Sequence, residues 1–167
     1  MASNLHNVLR NFKWRMETIA PQDTATETKA FSFIDPYRDN MSVLGAARLF
    51  TVNYLEGEPD DEIHATNDMR RGDHIVEVVV WYPLGVDGFE WLDAQAMVLA
   101  DRHVIIKQLR DDSKWIGFDP DNTTDDIGLH KRWPDGEELT VEDVGTDNSA
   151  LVLHSKWALK VLEVENA

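Results

Sequence analysis

Residues 74–82 read His-Ile-Val-Glu-Val-Val-Val-Trp-Tyr and are closed by Pro83. β-Branched and aromatic side chains dominate this run, and proline cannot donate to a strand ladder, so the run reads as a buried β-strand that stops at Tyr82. Upstream, Arg48 to Glu56 alternates: Phe50, Val52 and Tyr54 fall on one face, Thr51 and Asn53 on the other. That is the period of a half-buried strand, and the two runs make a natural antiparallel hairpin. Its connection, Gly57 to Asp73, carries Glu58, Asp60, Asp61, Glu62 and Asp68, followed by the basic pair Arg70 and Arg71.

Helical periodicity flanks the hairpin on both sides. Leu5, Val8, Leu9, Phe12, Met16 and Ile19 recur at three- and four-residue spacing, with Ser3 or Asn4 to cap the start and Pro21 to end the run. This predicts a core-docking helix over Asn4 to Ala20. Downstream, Gly85 and Gly88 mark a turn, and Asp87 with Glu90 has the spacing of a capping box. A long helix is predicted from Phe89 to Arg110, with Leu92, Ala96, Leu99, His103 and Ile106 on its buried face and Val98, Ile105 and Leu109 widening it.

The remaining segments are less regular. Gln22 to Asn40 reads as an extended arm or short strand in which Phe31, Phe33 and Tyr37 alternate, packing on its own domain or on a neighbouring subunit. Lys114 to Phe118 suggests a short strand, and Asp119 to Glu138 a polar loop. Leu139 to Val144 and Ala150 to Glu165 close the chain as strands. In the last of these Leu151, Leu153, Trp157, Leu159 and Val161 keep one phase until Leu162 and Val164 take the other, which predicts a bulge. The sum is an α+β fold: an antiparallel sheet with an N-terminal helix and a long helix packed on it, a single domain over residues 1–167 with an arm at 22–40 and loop insertions at 57–73 and 119–138.

Composition narrows the function classes. The chain has 167 residues, 31 acidic against 16 basic, and a formal charge of −15. Nucleic-acid affinity depends on Lys and Arg displacing counterions, so a phosphate-binding surface is not expected. Protomers this acidic repel one another, and assembly needs screening salt or local arginine pairing. Asp exceeds Glu and Arg exceeds Lys, a bias that resembles proteins of salt-loving archaea and their viruses. There is no cysteine, which removes disulfides, thiolate catalysis and cysteine-bound metal. Met1 to Pro21 has no unbroken apolar core, and no run approaches a bilayer's span, so neither a signal peptide nor a membrane segment is predicted.

No catalytic cluster emerges. Asp119, Asp121, Asp125 and Asp126 look like a calcium loop, but the glycine and glutamate positions of an EF-hand hold Thr124 and His130. The six histidines include no i, i+4 pair, and His103 reads as a partly buried helix residue rather than a ligand. Ser, His and acids occur without a Gly-x-Ser-x-Gly elbow or a phosphate-cradling glycine loop. The six tryptophans read as core or interface anchors. Catalytic residues, cofactors and metals are therefore all predicted as none.

The order of elements Asn4 to Ala20, Arg48 to Tyr82, Phe89 to Arg110 and Ala150 to Glu165 resembles the tail terminator proteins of long-tailed phages and archaeal tailed viruses, also called tail completion or minor tail proteins. The resemblance implies a virion structural protein without catalysis. It implies a ring of copies, a hexamer in that family, that ends tail-tube polymerisation and joins the tail to the head connector. Implied partners are the protein itself, the tail-tube protein and the head-side connector, with DNA passing through unbound and no membrane. Glu56, Glu58, Asp60, Asp61 and Glu62 become candidates for an acidic lumen or ring edge, and Arg70 and Arg71 for pairing between subunits. Another head–tail connector, an adaptor or stopper, or a monomeric acidic binding or inhibitor module, are the alternatives.

Overall fold

A computed structural model describes residues 4–19, 31–35, 48–59, 69–85, 90–110, 129–144 and 149–164. The elements are α1 (Asn4–Glu17), β1 (Ser32–Phe33), β2 (Leu49–Pro59), β3 (Met69–Pro83), α2 (Trp91–Arg110), β4 (Leu129–Asp143) and β5 (Ser149–Val164). The valine-rich run is the middle of β3, which lies at the centre of a five-stranded sheet ordered β1-β2-β3-β5-β4. The β2/β3, β3/β5 and β5/β4 pairs are antiparallel, whereas β1 runs parallel to β2, so the α+β sheet is mixed rather than purely antiparallel. Because β5 sits between β3 and β4, the α2 connection joins two strands that run the same way with a third inserted between them.

Alternation along the strands decides which face receives the helices. Val76, Val78, Val80 and Tyr82 of β3 and Leu151, Leu153, Trp157, Leu159 and Val161 of β5 are buried against Val8, Phe12 and Met16 of α1 and Ala94, Met97, Val98, Ile105 and Leu109 of α2. Trp157 is fully buried at the middle of this core, with the Phe12 ring edge-on at a centroid distance of 6.3 Å. The opposite face holds a smaller cluster of Val79, Ala150 and Val152, with Trp81 and Val144 against it.

Helix α1 forms as its spacing predicts and ends at Glu17, where Thr18 Oγ1 donates to the Arg15 carbonyl. The α2 cap lies three residues later than expected: Glu90 N–H donates to Asp93 Oδ2 and the Glu90 carbonyl accepts the first helical bond, from Ala94 N–H. Asp87 falls outside the described residues. At the other end of α2, three orphan carbonyls are met by arginines. Arg15 Nη1 donates to the Gln108 carbonyl, and Arg132 donates from Nε to Leu109 O and from Nη2 to Arg110 O, both at 2.7 Å. Cations there also complement the negative end of the helix dipole.

Several expectations need correction. The buried face of α2 is Ala94, Met97, Val98, Asp101, Ile105 and Leu109, while Leu92 and Leu99 are 75% and 61% exposed, and Ala96 and His103 are exposed as well. A carboxylate inside the stripe, Asp101, hid the true face. The hairpin strands run to Pro59 and back from Met69, so 57–59 and 69–73 are strand rather than loop insertion. Residues 129–138, read as polar loop, belong to β4, an edge strand that tolerates Pro134 and charge because only one side pairs. The ladder irregularities lie at Tyr54/Glu56, Leu129/Lys131 and Pro134/Gly136, so the bulges belong to β2 and β4, not to the end of β5. In the 22–40 arm, Phe31 and Ile34 are buried and Phe33 stacks edge-on against Phe50, so the described part of the arm packs on its own subunit. Lys114 to Phe118 and Tyr37 lie outside the described residues.

Candidate functional site

Beneath α2 the sheet carries a buried polar centre. Arg48, at the entry to β2, donates from Nε to Asp101 Oδ2 at 2.7 Å and from Nη2 to Asp101 Oδ1 at 3.0 Å, and Tyr82 Oη donates to Asp101 Oδ2 at 3.0 Å. Arg48 and Asp101 are each 1% exposed, and the guanidinium also faces the Phe31 ring at 5.9 Å. The fork geometry satisfies both carboxylate oxygens, the condition under which a buried charge is tolerated. Arg48 has a φ of 65°, unfavourable for a side chain with a Cβ, and the two-point grip on Asp101 holds it there. Its backbone N–H donates to the Trp81 carbonyl and its carbonyl accepts from Ser32, so the residue also docks the arm onto the sheet.

Burial, and next to it the Asp101 carboxylate, raise the Tyr82 pKa well above its ordinary value of 10.0, with Arg48 opposing. The folded state therefore holds the phenolic proton more tightly than the unfolded chain. This contribution to stability is intact below the ordinary tyrosine pKa and is lost as the pH rises through the folded one. Denaturant midpoints followed from roughly pH 8 to 11 should fall on the alkaline side, and Tyr82→Phe should flatten that limb relative to the parent chain.

A second polar group crosses the opposite face of the sheet. His154 Nδ1 lies 3.1 Å from Glu77 Oε1, and its Nε2 lies 3.2 Å from Thr140 Oγ1 and 3.6 Å from Glu142 Oε2. Carboxylate, imidazole and hydroxyl in this order resemble a hydrolytic triad. Thr140, however, sits in mid-strand opposite Val152, not on a turn at a helix N-terminus that would supply oxyanion donors. The group is a cross-strand tie joining β3, β5 and β4. Among the described residues no set of three His, Asp or Glu is placed to hold a metal, and no helix is long and apolar enough to cross a membrane.

On β2, Tyr54 Oη meets His74 Nδ1 at 3.1 Å beside Gly57. A Cβ at Gly57 would overlap both of those atoms. Gly57→Ala should therefore part the Tyr54–His74 contact and cost about 1–3 kcal/mol, read as a lower thermal midpoint.

Apolar side chains are exposed at both ends of the sheet. Among the described residues no strand pairs with the outer edge of β4, and β1 covers β2 only at Leu49 and Phe50. Tyr54 and Leu55 on β2, Leu139 and Val141 on β4, and Trp91, Leu92 and Leu99 on α2 are all exposed. Open strand edges and grouped apolar side chains are what folded monomers normally avoid, so these two edges, with the outer face of α2 beside β4, are the strongest candidates for an interaction surface.

The acidic and basic positions singled out in the sequence are only partly placed. Glu56 is exposed on β2, Glu58 also lies in β2, and Asp60, Asp61 and Glu62 fall outside the described residues. Arg70 and Arg71 lie in β3, their backbones opposite Glu163 and Leu162 of β5. No family model matches this chain, and a search of the curated proteins returned no match.

Proposed function

We propose that this chain is a self-assembling structural protein: a virion component that forms a ring at the head–tail junction, ends tail-tube polymerisation and joins the tail to the head connector. The observation that carries the self-assembly is the β4 side of the subunit, where, among the described residues, an edge strand has no outer neighbour and α2 exposes leucines. The placement at the head–tail junction rests on the order of elements, helix, hairpin, long helix and closing strands.

In this reading the charge of −15 has a purpose. A wall of carboxylates facing a channel repels phosphate and lets DNA pass without sticking. Glu56 and Glu58 of β2, with Asp60, Asp61 and Glu62 that follow them in the sequence, are the residues proposed for the lumen or ring edge. Arg70 and Arg71 are proposed to pair with acidic groups of the neighbouring subunit, offsetting repulsion between protomers. The protein acts by fit and charge and carries out no reaction.

Electron microscopy of the purified chain in molar salt tests the assignment. Six-fold rings with a central channel are expected of a tail terminator. Twelve-fold rings would replace it with an adaptor, and isolated particles without a channel would contradict it.

A further inference from the structure

Among the described residues two sheet edges lack an outer strand, β4 and the part of β2 beyond Phe50, and they are on opposite sides of the subunit and differ in chemistry. We infer that they pair with each other between copies, the β4 edge of one subunit adding to the exposed half of β2 in the next, under the outer flank of α2. This rests on the self-assembly reading above and specifies its contact.

Strand direction permits it. Antiparallel pairing of β2 with β3, β3 with β5 and β5 with β4 makes β2 and β4 run oppositely. Repeating the subunit head to tail in the same sheet therefore sets β4 antiparallel to the next β2, the more stable arrangement. The faces also agree. Leu139 and Val141 lie opposite Leu153 and Leu151, and Tyr54 opposite Val76, all three partners being core residues on the helix side. Adjoining β4 to β2 brings these exposed side chains together on that side.

Helix α2 extends the same patch. Arg102 pairs with Glu137, and Arg132 holds the Leu109 and Arg110 carbonyls, so α2 runs alongside β4 in the opposite direction. Leu99, one turn before Arg102, then stands level with Leu139, two residues past Glu137, and Leu92 lies further along toward Val141.

Charge selects a head-to-tail contact over a two-fold one. Strand β4 carries Asp135, Glu137, Glu138, Glu142 and Asp143 against Lys131 and Arg132. A two-fold β4–β4 pairing would oppose these acids to themselves. The β2 side presents Asn53, Tyr54 and Leu55 ahead of a single described exposed acid, Glu56, and α1, which lies over β1 with Lys13 Nζ 4.6 Å above the Phe33 ring, adds Arg10 and Lys13 against Glu17, its Arg15 being buried. The acidic β4 edge meets fewer like charges here than against itself, and a head-to-tail contact is the kind that closes into rings.

Engineered disulfides test the pairing directly, because the chain has no cysteine of its own. Tyr54→Cys combined in one chain with Leu139→Cys, or with Val141→Cys to cover the adjacent register, is oxidised in molar salt and run on a non-reducing gel. A ladder ending at the subunit number of the parent ring is expected, with Leu139→Cys or Val141→Cys alone giving single chains. Disulfide dimers from either single variant would overturn the head-to-tail contact in favour of a two-fold one. Single chains from both double variants, with a thermal midpoint under reducing conditions matching the parent and a parent of ring mass, would overturn the edge assignment and leave self-assembly standing. A parent that is monomeric at every salt concentration would instead remove the self-assembly reading itself.

Discussion

Asp101→Ala should lower the unfolding free energy by about 3–5 kcal/mol, measured from denaturant midpoints at unchanged slope. The carboxylate receives Arg48 Nε, Arg48 Nη2 and Tyr82 Oη at 2.7, 3.0 and 3.0 Å in a site almost closed to water. Its removal leaves a guanidinium buried without its counter-charge and a phenol without its acceptor. The cost is that of a stranded charge, which exceeds the net worth of the pair. Joint replacement, Arg48→Met with Asp101→Leu, should therefore destabilise less than Asp101→Ala alone, because no unpaired charge remains. The Arg48 backbone adds a complication: its positive φ persists in the double variant, so full recovery is not expected.

Trp157→Ala should cost a similar amount, about 3–5 kcal/mol, through a cavity in the middle of the main core. Trp157 is fully buried on the inner strand β5, Phe12 of α1 meets its ring edge-on, and its Nε1 donates to Ser155 Oγ at 3.1 Å. The loss is expected in calorimetry as a lower midpoint. Trp157→Phe should cost less, since much of the volume stays and only the buried Ser155 hydroxyl loses a partner.

The elements with clean periodicity were legible in the sequence. Helix α1 declared itself through Val8, Phe12 and Met16, and β3 through its valines, because one physical demand, burial of a single face, set each residue. The extent of α2 was legible and its orientation was not. Leu92 and Leu99 are exposed while Asp101 is buried, and a carboxylate whose partners come from positions 48 and 82 leaves no local trace in the chain. Strand β4 was missed over 129–138 because an edge strand needs neither alternation nor a continuous donor row. Pro134 and Gly136, at φ 143°, flank its bulge, and they read locally as a turn.

The candidate surface was less legible still. Leu92 and Leu99 stood in the sequence as core residues, and what gives them another meaning is their exposure beside a strand that, among the described residues, has no outer neighbour. A pattern of apolar residues identifies which side chains avoid water, but not whether their own subunit or a neighbour shields them. The acidic run was visible at once, and the structure places Glu56 and Glu58 in β2.

The central claim is that this chain works as a closed assembly of its own copies. Its solution mass, measured by light scattering across a salt series from low to molar concentration, tests that most directly. Screening of the −15 charge should shift the population from single chains to one closed species of fixed subunit number, with no larger filaments. A mass of one chain, 19.1 kDa, at every salt concentration would contradict the account.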